Sequence, residues 1–463
     1  LKPFVEGRHE SLAGIYAFFE MVTQNAVTEA ARGVLAMPIK AHWGPINEFI
    51  ELRSYPDAKQ YFGTGLTAGL LQLAFWGSPL AVKVYRIATQ EAKVAQLDLT
   101  SIVIKALYPG DRGNDFKITI RPYLDDPTKT ELLVVEGATI LQSIPFATID
   151  ELVEKASDGY YIRVEKVSDV IPEAISSRAL SGGNSGATVT AEDYSAFFKA
   201  AEAESFNRIA LDGVKDAGIK QMLIQFVKDQ RALGKLIRGT VGGMTATAID
   251  YYPIENVYQK AFKDGIEYSP EDVAIYASAS LGSCPLNRSR ALQITPFDEI
   301  QKLSNVDMQR LVDEGNLLFT QEGRTVRFST PVNTMTTIKN FDEWYKMGDG
   351  ADEVAVIKTL QKSKIVEAND YIAEVQDTFF KRFASYANTI ARRRAAAQLF
   401  KDEVLIVMEN DEVIEAGTSE CIPRAEYHGE NPTKNAYKDE AFFDSNYQIV
   451  DAMEKIYLRN RVA

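Results

Sequence analysis

Apolar positions fall into two textures along the chain. Residues 33–39 (GVLAMPI) and 80–87 (LAVKVYRI) are compact runs rich in branched side chains, and residues 67–76 between them have the make-up of a short buried helix. That order reads as strand, helix, strand. The order resumes at 207–211, 235–241 and 272–278, three further runs that read as strands with helical stretches between them. The helices have clear faces. Behind Thr190 as a cap, Tyr194, Phe197, Phe198 and Ala201 recur at i, i+3, i+4 and i+7, and Ile219, Met222, Leu223, Phe226 and Val227 repeat the pattern. Both stripes are read as core-facing. Strand-helix alternation of this kind predicts an open α/β sheet.

Residues 98–170 have the second texture: 101–107, 116–121, 131–136 and 160–164 look like strands separated by turn residues, which predicts an inserted β-rich domain. A long helical signal follows over 360–383, where Ile365, Ala368, Ile372, Val375, Phe379 and Phe383 keep three- and four-residue spacing. At the end of the chain Ile456, Leu458, Asn460 and Val462 alternate with Tyr457, Arg459 and Arg461, the period-two pattern of a strand. The expected fold class is therefore multidomain α/β: an open α/β core, an inserted β-rich domain and terminal strand-forming arms. The expected division is an N-terminal arm at 1–30, a discontinuous core at 31–95 plus 180–345, the inserted domain at 96–179, a helical region at 346–445 and a C-terminal strand arm at 446–463.

Composition narrows the function. The 463 residues are 46% hydrophobic and 25% charged, enough for a substantial core, and 51 Lys and Arg against 64 Asp and Glu give a net charge of -13. An acidic chain is poorly suited to wrapping a nucleic-acid backbone. The longest apolar run, at 66–76, is interrupted by Thr67 and Gln72 and falls short of the roughly 20 residues of a bilayer span. Glu10 and Glu20 flank or interrupt the apolar stretch 12–22, which is not read as an export signal. Two cysteines, Cys284 and Cys421, make neither a disulfide framework nor a metal cluster and fit a reducing cytoplasm.

The segment SGGNSG at 181–186 precedes a helix, and such loops can cradle phosphate, but the Walker Lys-Ser/Thr and the Rossmann glycine spacing are both missing. A domain-joining loop is expected. His9, His42 and His428 are scattered without metal-site spacing, and no histidine is tied to Cys284 by a motif. No catalytic residue, cofactor or metal is expected. The rival reading is a cytosolic α/β enzyme binding a phosphate-containing ligand near Gly182, Gly183 and Gly186.

Four segments together resemble the tail sheath proteins of contractile phages, in particular those of Gram-positive hosts and of phage-tail-like particles. They are AGIYAFFEM at 13–21 with ARGVLAMPIKAHWGP at 31–45; ALYPGDRGNDFKITI at 106–120; the stretch 280–337, from SLGSCPLNRSR to VNTMTT; and the terminal VDAMEKIYLRNRV at 450–462. Ala13 stands where the family usually has proline, and residues 384–446 follow the family least.

The resemblance implies a structural subunit that polymerises helically around an inner tail tube and contracts to drive the tube through a target envelope, with no catalysis. Its implied partners are further copies of itself, the tube protein, and the baseplate and tail terminator, with no nucleic acid and no membrane insertion. The implied location is a virion tail or tail-like particle assembled in the bacterial cytoplasm. Terminal strands at Ile15, Tyr16 and Phe18 and at Ile456, Tyr457, Leu458 and Val462 are the expected inter-subunit arms. Arg392, Arg393 and Arg394, the densest basic cluster, are the candidates for contact with the tube within a tube-facing region at 346–445.

Overall fold

The computed structural model describes residues 2–3, 16–17, 19–21, 33–341, 344–348 and 350–454. They form two compact units, one of Leu1–Leu35, Leu73–Leu80 and Phe206–Ala463, the other of Ala36–Gln72 and Ala81–Ser205. In the N-terminal segment β1 (Lys2–Pro3) pairs in parallel with β2 (Tyr16–Ala17), and β3 (Phe19–Met21) follows.

β4 (Val34–Ile39) leads into the second unit, where it joins β5 (Phe49–Leu52) and β6 (Ala81–Arg86) in the order β4-β6-β5. Ser54 caps α1 (Tyr55–Phe62) by accepting from Asp57 N, and a 3-10 turn at Leu66–Leu70 feeds α2 (Leu71–Trp76). Further along this unit, β7 (Gln96–Asp98), β8 (Ile102–Ala106), β9 (Phe116–Pro122), β10 (Thr130–Glu136), β11 (Thr139–Phe146), α3 (Ile149–Ser157), β12 (Ile162–Lys166) and β13 (Ile175–Ala179) build two sheets. Their orders are β11-β10-β9-β13 and β12-β8-β7. Alternation decides which faces meet: Ile102, Ile104 and Ala106 of β8 and Phe116, Ile118 and Ile120 of β9 are buried with Leu132, Val134 and Leu152 in one core. Each large side chain so buried contributes about 1.5–3 kcal/mol. The unit closes with α4 (Ala191–Ala201), started by a Thr190/Asp193 capping box, whose buried Phe197 packs 5.8 Å from Phe49 and 5.7 Å from Tyr85 between ring centroids.

In the first unit β14 (Arg208–Ala210), α5 (Ala217–Ala232), β15 (Arg238–Gly242), α6 (Ala246–Ile249) and β16 (Ile254–Val257) alternate, and β14, β15, β16 and the short strand Asn316–Leu317 are parallel neighbours in that order. Ile219, Leu223, Phe226 and Val227 of α5 are buried as its stripe predicts. Next come α7 (Pro270–Gly282), α8 (Asn305–Asp313), α9 (Glu353–Leu360), α10 (Ser363–Lys381) and α11 (Ile390–Phe400). Ile365, Ala368, Ile372 and Phe379 of α10 share a core with Ala397 and Phe400 of α11 and with Leu405, Ile414 and Ile449. The mixed α/β, multidomain class expected from the sequence is the class observed.

One local expectation is corrected. Residues 272–278, read as a strand, lie inside α7: Ser269 and Asp272 form a capping box, Pro270 occupies the first turn, and every residue from Val273 to Gly282 is buried. A helix buried on all sides carries no amphipathic period, so its apolar run imitates a core strand. The helical signal at 360–383 is the helix α10, with only Leu360 belonging to the preceding helix α9. At the junction of α9 and α10, Asn333 Nδ2 donates to Leu360 O at 2.6 Å and Asn333 N to Gln361 O at 2.8 Å, so the last carbonyls of α9 are satisfied. The strand expected at 456–462 lies outside the described residues.

Candidate functional site

Three of the turn sequences singled out above converge on one arginine. Arg86, at the end of β6 and fully buried, donates to Gly44 O at 2.6 Å, Pro109 O at 2.7 Å and Ser185 O at 3.2 Å, so one guanidinium holds the WGP, YPGDRGND and SGGNSG segments together. Burial brings its pKa down to about 10, opposed by the Asp111 charge. Asp111 accepts from Ser185 N at 3.2 Å, from Ser185 Oγ at 2.7 Å and lies 3.1 Å from His42 Nδ1. Partial burial pulls the Asp111 carboxyl up, but the bonds from Ser185 and His42 outweigh it and hold the carboxyl below its ordinary value. Gly110 has φ of 151°, and a Cβ there would lie 1.8 Å from His42 O, so this turn admits only glycine. Beside it, Arg112 forks onto Glu136 at 2.7 and 2.8 Å while lying over the buried Trp43 ring at 5.6 Å.

The SGGNSG loop forms a ladder with the segment that leaves β6. Thr89 N donates to Gly186 O, Lys93 N to Asn184 O and Gln96 N to Ser181 O, at 2.8–2.9 Å. In return Ser181 N donates to Gln96 O and Asn184 N to Lys93 O, while Gly183 N, Ser185 N and Gly186 N donate to the side chains of Asn114, Asp111 and Asn184. Five of the loop's six backbone donors, all but that of Gly182, are thus engaged within the chain and not turned to a phosphate. The two chain crossings into and out of the two-sheet region are fastened to each other.

A second constellation lies in the first unit, and sequence reasoning did not find it. Arg208 of β14 donates to Glu255 of β16 and to Glu367 of α10, each at 2.8 Å; Arg238 of β15 donates to the same two carboxylates at 2.5 and 3.2 Å and to Ser363 O at 2.6 Å. Arg231 of α5 meets Asp370 of α10 through two 2.9 Å bonds. Ser363, Glu367 and Asp370 stand at i, i+4 and i+7, so one face of α10 carries all the attachments. Desolvating these charges costs several kcal/mol per ion, offset only because each carboxylate has its cation in place. The VNTMTT sequence has a comparable role. Asp250, left-handed at φ 43°, accepts from Thr336 N at 2.6 Å, Thr337 N at 2.9 Å and Thr337 Oγ1 at 2.5 Å. Burial pulls its carboxyl up, but the bonds from Thr337 and Thr336 win and hold it below the ordinary range.

The anticipated arm residues are only partly described. Tyr16 lies in β2 opposite Lys2; Ile15, Phe18, Ile456, Tyr457, Leu458 and Val462 lie outside the described residues. β3 pairs in parallel with the strand Tyr345–Met347, Phe19 opposite Tyr345 and Met21 opposite Met347. Leading towards the C-terminal arm, Lys362 pairs with Asp451, Lys364 Nζ donates to Val450 O at 2.7 Å and Ser289 Oγ to Glu454 at 2.7 Å. Arg392, Arg393 and Arg394 share the first turns of α11: Arg392 and Arg394 are exposed, whereas Arg393 is half-buried and donates to Asn388 Oδ1 at 2.6 Å. Arg392 also lies 5.0 Å over the Tyr386 ring. Among the described residues no three His, Cys, Asp or Glu side chains gather as a metal site, and no helix is long and apolar enough to cross a membrane. Both cysteines are free thiols.

Residues 88–186, which contain the two facing sheets and both fastened crossings, match the family described as the phage tail sheath protein beta-sandwich domain. The Bacillus subtilis protein YqbK is 25% identical over 99% of this chain and 99% of its own length. The phage-like element PBSX protein XkdK of the same organism is 25% identical over 72% of this chain and 75% of its own. Among solved structures, the sheath tail protein of Desulfitobacterium hafniense shares the fold with a TM-score of 0.74 at 20% identity, covering 97% of this chain and 100% of that one. Residues 88–186 are thus a phage tail sheath beta-sandwich domain, set in a chain that shares the fold of a sheath tail protein along nearly its whole length.

Proposed function

We propose that the chain is the structural subunit of a contractile tail sheath, stacking in helically related rings around an inner tail tube and contracting to drive the tube through the envelope of a target cell. The observation that carries this reading is the ladder of β3 with Tyr345–Met347, which among the described residues has only two strands. Two strands alone are marginal in water, and their outer edges offer backbone N–H and C=O groups to a strand from a neighbouring copy. Head-to-tail contacts of this kind build an open filament from identical subunits. Contraction then needs no nucleotide: two packings of the same subunits, the contracted one burying more surface, supply the work.

In this reading residues 31–95 and 180–345 form the body, 96–179 is the inserted domain, and 346–445 faces the tube. The partners are further copies, the tube protein, baseplate and tail terminator, in a virion tail or tail-like particle assembled in the bacterial cytoplasm, and the subunit catalyses nothing. The rival phosphate-binding enzyme is disfavoured by the engaged backbone donors of the loop at 181–186. Negative-stain microscopy of the concentrated full chain tests the proposal: a sheath subunit gives long tubular polymers, and an enzyme stays a small oligomer.

A further inference from the structure

The short helix Ala425–His428 and the segment that returns to it hold a histidine in one protonation state. Phe442 N donates to His428 Nε2 at 2.9 Å, so that ring nitrogen carries no proton and the ring is neutral, protonated on Nδ1. Phe442 is fastened in two further ways. Arg424 N donates to Phe442 O at 2.9 Å, and the Phe442 ring stacks on that of Tyr427 with centroids 3.8 Å apart. His428 is half-buried, so water replaces a lost acceptor only in part.

A second anchor lies at the start of α11. Asn388, just before the Thr389 cap, donates through Nδ2 to Lys438 O at 3.1 Å and to Glu440 O at 2.6 Å, and its Oδ1 accepts from Arg393 at 2.6 Å. The segment 438–442 therefore hangs between the start of α11 and His428. The carboxylates around the ring are matched locally: Glu426 by Arg424 at 3.3 Å and Lys434 at 2.9 Å, Asp444 by Arg424 at 3.4 Å. Glu440 accepts from Tyr437 N at 2.8 Å, and Lys438 and Asp439 are exposed in the turn. Burial, and after it the Arg393 charge, holds the His428 imidazole below its ordinary pKa.

We propose that His428 is a proton-operated latch: its neutral ring closes the 438–442 segment onto Ala425–His428, and its protonated ring releases Phe442 and repels Arg393. Protonation turns Nε2 into a donor facing the Phe442 N–H, so a bond is lost and two donors confront each other. The added charge also acts on the arginine that grips Asn388, which loosens the other end of the segment. Arg392 and Arg394 stand exposed on the same first turns of α11, so acidification reaches the basic cluster whether or not it meets a tube. With the folded pKa depressed, the contribution of the neutral ring is fully present above the unfolded value of about 6.5 and is lost as pH falls through the folded pKa.

Hydrogen–deuterium exchange of the full chain tests this, read by mass spectrometry on peptides covering 438–443 and corrected for the intrinsic pH dependence of exchange. Protection in the wild type should fall about fivefold from about pH 7.5 to about pH 5. In His428→Gln, whose amide oxygen can accept where Nε2 does and does not titrate, protection should stay constant over that range. Arg393→Gln removes the repelling cation, so its protection should fall at a higher pH than in the wild type; this variant also serves if His428→Gln fails to fold. Constant protection in the wild type overturns the proposal. So does an equal fall in a folded His428→Gln, and so does an Arg393→Gln whose fall comes at or below the wild-type pH.

Discussion

Arg231 and Asp370 meet through two hydrogen bonds of 2.9 Å with neither side chain exposed to solvent. The pair joins α5 to α10, and Arg231 also donates to Tyr252 OH at 2.8 Å. Removing the carboxylate strands a buried cation, so Asp370→Ala should lower unfolding free energy in urea by about 3–5 kcal/mol. The double variant Arg231→Met with Asp370→Leu should lose clearly less, because no charge is left uncompensated. Equal losses would mean that shape alone matters here.

Asp250 makes stability depend on pH. Its folded pKa is depressed, so its contribution is fully present above the unfolded value of about 3.9 and is lost as pH falls through the folded pKa. Asp250→Asn should cost about 1.5–3 kcal/mol at neutral pH. The gap between the wild type and this variant should close on acidification below about pH 4. Thermal unfolding of both proteins across pH 2–7 checks the sign; a gap that widens in acid refutes it.

Strand exchange through the C-terminal arm is tested by removing residues 455–463 while keeping Glu454 and its bond to Ser289. If the arm serves a neighbour, the shortened chain unfolds at the wild-type midpoint yet forms no tubes. An arm that folds back on its own chain gives the opposite result, a destabilised monomer.

For the tube contact, Arg392 and Arg394 are the residues to reverse, since Arg393 is engaged with Asn388. Arg392→Glu with Arg394→Glu should leave stability within about 0.5 kcal/mol and weaken assembly on tubes, most strongly at low salt. Assembly unchanged from low to high salt would remove these arginines from the contact.

Much of the architecture was legible because it is local. Thr190 three residues before Asp193, and the stripe from Tyr194 to Ala201, place α4 correctly, and the alternation in β8 and β9 shows which face of each is buried. α7 was misread because burial on every side erased its period, although Ser269, Pro270 and Asp272 carry a helix-start signal. The charge networks were out of reach for another reason. Arg208 and Glu367 are separated by 159 positions, and nothing near either residue names the other. Arg86 gave one faint sign, an arginine closing a mostly apolar strand, where a buried charge has to find acceptors.

The laddered crossings between 89–96 and 181–186 have a mechanical consequence. A single connecting strand bends about any axis, but two strands bonded side by side make a ribbon that yields easily only out of its own plane. Asn114 clamps that ribbon at Gly183, and Asp111 clamps it at Ser185. A load on the sandwich would thus swing it like a door on a strap hinge, with twisting and sideways shear resisted by the ladder.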